Sequence, residues 1–157
     1  MDFVRYSGSP PSGCPPRVWE ELCDTGLPAR VITIFVAQPQ PSPAARQLGD
    51  REVDGIVLGH SREEDELFLD FTAAQVWLLH TWGSGQPILV NRTLPAFVAS
   101  LLAADERYPF PATEDSDQEL RELLAGIDEA ALDDPDGFWR AFLDDVAVGD
   151  YSGPASP

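Results

Sequence analysis

The side chains in this chain that could do chemistry are few. Its only two histidines are His60 and His80. His60 is followed almost at once by Glu63, Glu64, Asp65 and Glu66, so imidazole and carboxylate together could bind a divalent cation or move a proton. Neither histidine stands in an HxxxH or HExxH arrangement, the spacing that puts two ligands on one helical face. His80 alternates with Val76 and Leu78, which is the pattern of a packed histidine on a strand. GxSxG, GxxxxGK and GxGxxG are all absent, and Gly83-Ser84-Gly85 lacks the helix start and lysine of a phosphate cradle. All ten basic residues are arginine, so Schiff-base chemistry and a Walker lysine are excluded. These absences point to a protein without a catalytic, metal or cofactor site. The alternative is a small metal-dependent hydrolase or ligand-binding domain built on His60, His80 and nearby carboxylates.

The elements that must position these residues are legible from periodicity. Glu66 to Phe71 and Val76 to Thr81 each alternate with the two-residue period of a strand, and a short turn joins them. Asp70 before that turn is placed to accept turn amides. After Asn91 the period becomes helical, with Leu94, Phe97, Val98, Leu101 and Leu102 on one stripe. Asn91 or Thr93 can cap that helix, and Pro95 is tolerated in its first turn. Val31 to Val36 reads as a buried strand, residues 39–50 as a proline-containing loop, and Val53 to Leu58 as a further strand. A short helix over Arg17 to Asp24 precedes them.

Four helical stretches follow Asn91: one to about Ala104, one after a cap at Asp115 or Ser116 and ended by Gly126, a short turn over 128–134, and one capped by Asp136 that carries Phe138, Trp139, Phe142, Leu143 and Val146. The expected fold is α+β: a mainly antiparallel sheet of at least four strands, flanked by an N-terminal helix and a C-terminal helical layer. A flexible arm over 1–15, one domain over 16–150 and a flexible tail over 151–157 complete the division. At 157 residues the chain can bury a full core without a metal or disulfide staple. Cys14 and Cys23 are therefore read as unpaired. No run approaches the roughly 18 apolar residues of a membrane span, and the first residues lack a secretory signal, so a cytoplasmic location is expected.

Charge carries the strongest statement about partners. Twenty-seven acidic residues face ten arginines, a formal net charge of −17. Fifteen of the acids lie between Asp105 and Asp150, where there are only three arginines. Such a surface repels phosphates, which excludes nucleic acid as a partner and favours a basic protein surface. Glu63, Glu64, Asp65 and Glu66 at the presumed hairpin tip are the candidate contact acids. Trp82 in the WGSG loop and Trp77 on the sheet are the candidate anchors, because tryptophan is enriched where binding energy concentrates.

Several short stretches taken in order also carry a resemblance. They are Thr25-Gly26-Leu27-Pro28, Leu58-Gly59, Leu69-Asp70 with Val76, residues 90–97 reading VNRTLPAF, Ile127-Asp128, and Phe138-Trp139. In this order they resemble the SUKH superfamily of immunity proteins, in particular its fourth subgroup, from Trp19 to Asp150. The family's hairpin usually carries glycine where Ala74 stands. The resemblance implies a non-enzymatic α+β domain that binds a cognate bacterial polymorphic toxin, without a cofactor. It transfers no toxin-contacting residue.

Overall fold

A computed structural model describes residues 1–61, 64–81 and 85–152. The chain forms a curled antiparallel sheet with helices over one face. Strand β1 (Phe3–Val4) pairs with β2 (Leu27–Pro28) in a small sheet of its own. The main sheet runs β3 (Arg30–Val31), β4 (Phe35–Ala37), β6 (Arg51–His60), β7 (Glu66–Asp70), β8 (Val76–Leu79) and β9 (Ile88–Asn91), with β5 (Pro43–Leu48) paired to β6. Helix α1 (Pro16–Asp24) precedes the sheet. After it come α2 (Leu94–Arg107), α3 (Gln118–Ile127), a 3-10 turn over Glu129–Leu132 and α4 (Phe138–Ala147).

The alternation of β7 and β8 sorts their side chains onto two faces. Leu67, Leu69, Val76 and Leu78 join the large core under the helices with Phe35, Phe97, Leu101, Leu124 and Trp139. Phe68 turns the other way into a small second cluster with Leu48, Val53 and Val57, against which Trp77 and Leu79 pack. The β5–β6 hairpin curls across that outer face. Arg46 of β5 reaches Glu66 of β7 there through two hydrogen bonds, Nε to Oε2 at 2.9 Å and Nη2 to Oε1 at 3.0 Å.

Strand β6 has two antiparallel partners on one side, β5 along its first half and β4 at its end. Glycines allow close approach on both sides of β6, to β7 at Gly55 and to β4 at Gly59. A Cβ on Gly55 would stand 2.2 Å from the carbonyl oxygen of Leu69, and one on Gly59 would stand 2.2 Å from that of Val36.

Several local expectations are corrected. Val31 to Val36 is a tight hairpin rather than one strand, because Ile32 takes φ 50° and the chain reverses before Phe35. The loop expected over 39–50 contains strand β5, whose Pro43 stands at the first position, where a missing amide is tolerated. The first residues, read as a loose arm, are tied down. Phe3 and Val4 pair with β2, Tyr6 is buried and its hydroxyl donates to the carbonyl of Gln38, and Trp19 Nε1 donates to the carbonyl of Gly8. Burial pushes the Tyr6 phenol up to about 12.

Thr93 caps α2, its hydroxyl accepting from the amide of Ala96. Asn91 instead faces the core. Neither Asp115 nor Ser116 caps α3, which starts after Asp117 and runs through Gly126 to Ile127, and Gly137 rather than Asp136 precedes α4. Ala74 sits at φ 57°, in the left-handed region that costs a residue with a Cβ about 1–2 kcal/mol, where the family's glycine would sit without cost. Cys14 and Cys23 are free and pack partly against the core.

Candidate functional site

Two carboxylates hold the ends of the sheet, and they differ in what surrounds them. Asp128 follows α3 and is buried. Its Oδ2 accepts from Asn91 Nδ2 at 3.2 Å and from the Arg92 amide at 2.8 Å, while its Oδ1 accepts from Arg92 Nε at 2.8 Å. Asn91 Oδ1 in turn accepts from Trp139 Nε1 at 2.9 Å, and Asn91 Nδ2 donates to Ser100. This node ties β9, α2, the end of α3 and α4 together with every Asn91 side-chain atom engaged, which is how buried polar groups stabilise a core. Sequence reasoning treated these residues as caps and core. The missed signal was Ser100, a polar residue inside the apolar stripe between Phe97 and Leu101.

The second carboxylate, Asp65, is at the opposite end of the sheet. It is nearly buried. Its Oδ1 accepts from the Thr81 amide at 3.2 Å and its Oδ2 lies 3.3 Å from His80 Nδ1. Its own carbonyl accepts from the Ser61 amide, and Thr81 Oγ1 donates to the carbonyl of Glu64 at 2.7 Å. Asp65 therefore clasps the β6–β7 tip to the end of β8.

The four consecutive acids do not form one exposed patch. Glu64 is exposed at φ 66°, Asp65 turns inward, and Glu66 lies on the outer face in its ion pair with Arg46. That pair lowers the Glu66 carboxyl below its usual value, chiefly through the hydrogen bonds from Arg46, against the opposing effect of burial. Glu63 and Trp82 lie outside the described residues. Trp77 is half-buried on the outer face, where its Nε1 donates to Asp70 at 2.9 Å. Asp70 also accepts from the amides of Ala73 and Gln75, as a carboxylate before a turn should.

His80 stands between two clefts. One, of about 220 Å³, opens between the sheet end and α4. Ile34, Leu78, Ile88, Phe138 and Phe142 are among its apolar lining residues, and Asp65, Asp136 and Asp145 are among its polar ones. The other, of about 440 Å³, is lined by Arg46, Glu66, Thr81 and Gly85 among others. A Cβ on Gly85 would stand 2.4 Å from the His80 ring, so glycine there leaves the ring its place. His60 lines neither of these clefts; it stands opposite Glu66 on β7, on the outer face. The two histidines therefore do not converge. Among the described residues no group of three His, Cys, Asp or Glu side chains could hold a metal ion.

The hollow between sheet and helix is rimmed by acids, with His80 held against Asp65 at its edge. The family model described as SUKH-4 immunity protein matches residues 9–145. The chain belongs to the SUKH-4 immunity protein family. The match takes in every element of this SUKH-4 protein from α1 to α3 and most of α4, so both carboxylate nodes and nearly all of the cleft linings lie within it. No curated protein and no solved structure matches the chain. Among the described residues no helix is long and apolar enough to cross a membrane.

Proposed function

We propose that this SUKH-4 protein neutralises a cognate bacterial toxin by binding it directly in the cytoplasm, without catalysis. The observation that carries this reading is the immunity-family match along nearly the whole domain. The net charge of −17 adds the sign of the partner. A basic toxin surface, such as the cleft of an enzyme that attacks nucleic acid, is drawn to an acidic protein. Electrostatic steering raises the rate of encounter, and buried anchors then set the lifetime of the complex.

The contact is proposed at the sheet end that carries the tip and α4. Glu64 supplies exposed charge there, and by residue type Glu63 is proposed as a further acid and Trp82 as an aromatic anchor. Asp65 and Glu66 act by holding the tip and the outer face in place, and Trp77 by packing beneath.

The test begins with co-expression. The reading frame next to this gene should kill cells when expressed alone and be tolerated beside this protein, and killing in both cases overturns the reading. With the purified pair, raising salt from 50 to 500 mM shortens the Debye length from about 14 to about 4 Å and should slow association tenfold or more. A rate that ignores salt refutes the electrostatic mechanism.

A further inference from the structure

The cleft beside His80 has a size and lining that specify one kind of occupant. At about 220 Å³ it falls below the roughly 300 Å³ at which small-molecule pockets begin, so it suits a single side chain better than a metabolite. Its floor is apolar, from Ile34, Leu78 and Ile88, and one wall is the rings of Phe138 and Phe142. Asp65 and Asp136 enter its rim from separate segments of the chain, the β6–β7 tip and the turn before α4. No arginine lines it among the described residues.

A long aliphatic stem ending in a cation satisfies both halves of this surface. Arginine does so better than lysine, because its planar guanidinium stacks on aromatic rings and is more weakly hydrated. An acidic or purely apolar side chain would leave the rim carboxylates facing a like charge or no polar partner.

We propose that this cleft is the anchor pocket for one arginine side chain presented by a loop of the toxin. The proposal rests on the toxin-binding reading above and adds the chemistry of the anchor. The stem lies across Leu78 and Ile88, the guanidinium stacks against Phe138, and Asp136 and Asp65 face its charge. Asp65 is already fixed by Thr81 and His80, so its carboxylate is preorganised to face a guanidinium.

The cleft can be probed without the toxin. Acetyl-arginine amide is titrated into the full chain while backbone amide signals are followed by NMR, with the neutral isostere acetyl-citrulline amide as control. A ligand of this size should bind with a dissociation constant on the order of 1–10 mM. Saturable shifts are expected at Leu78, Ile88, Phe138 and Ala141, with citrulline at least tenfold weaker. Ala141→Trp, at an exposed position on α4 that lines the cleft, should abolish the shifts by filling it. Asp136→Asn, an exposed change that leaves packing alone, should weaken them about threefold and serves if the tryptophan variant does not fold.

Equal binding of citrulline, shifts elsewhere on the surface, or shifts that follow protein concentration without probe overturn the arginine pocket. With the toxin in hand, a folded Ala141→Trp protein should lose at least tenfold in affinity. Undiminished affinity overturns the cleft as the anchor and leaves immunity standing. Failure of the wild-type protein to protect cells overturns immunity, while the arginine titration still decides the pocket.

Discussion

Asp128 and Asp65 perform the same task at opposite ends of the sheet, and comparing them separates what folds this protein from what it offers a partner. Each carboxylate accepts a backbone amide and meets a cationic or ionisable side chain: Arg92 at one end, His80 at the other. Asp128 is bonded to Asn91, which Ser100 and Trp139 hold in turn, and only 2% of its side chain is exposed. Asp65 opens on a cleft, with a chain reversal on one side and α4 on the other. The same interaction inside a sealed core fixes the relation of four elements. At the rim it fixes only a tip, and leaves a shaped surface beside it.

Four measurements break or sharpen that contrast. The largest effect is expected for Asp128→Ala, which strands Arg92, its amide and Asn91 at once and should cost about 3–5 kcal/mol in urea unfolding. A loss below about 1 kcal/mol would mean the interior node is dispensable. Next, Trp139→Phe keeps the aromatic bulk but leaves Asn91 Oδ1 without its donor, for about 1–3 kcal/mol. Asp65→Ala should cost about 1 kcal/mol or less, because water can reach the groups it releases, yet slow toxin association. A stability loss matching that of Asp128→Ala would erase the distinction between the two ends.

The smallest effect belongs to the Arg46–Glu66 pair, about 0.5 kcal/mol for a half-exposed ion pair. Glu66 has its folded carboxyl depressed, so the pair's contribution is complete above the ordinary glutamate value near pH 4.3 and is lost as pH falls through the lower folded value. The stability difference between wild type and Arg46→Ala should therefore be constant from about pH 5 to 7 and shrink below about pH 4. A difference that grows on acidification contradicts the depressed carboxyl.

The sequence is legible where a single period governs a segment. The alternation groups Leu67 with Leu69 and Val76 with Leu78 on one face of each strand, the helical stripe of α2 groups Phe97 with Leu101, and the structure turns these groups to the core. Where a local rule and a tertiary contact conflict, the residues mislead. Pro43 and two alanines hide β5, whose pairing with β6 comes from the partner strand rather than its own propensity. Ile32 in a left-handed conformation cannot be foreseen, since a β-branched residue is the least suited to it. Asp65 and Glu66 read as tip charge because acids in a row resemble a solvated turn, while their true partners, His80, Thr81 and Arg46, lie 15 to 20 residues away. The cleft had no sequence signal at all, being assembled from segments that share no period.

The double partnership of β6 has a consequence for how the molecule opens. A strand whose two halves are paired on one side to different neighbours, and along the other to β7, cannot release its amides until both neighbours have left. In deuterium exchange β5 should peel away as one early unit, since its backbone pairs with β6 alone and its tie to β7 is the half-exposed Arg46–Glu66 pair. The end of β6 that Gly59 lays against β4 should exchange only with global unfolding. Breathing is thus confined to the outer curl, and the helix-backed end that carries the arginine cleft stays closed through it.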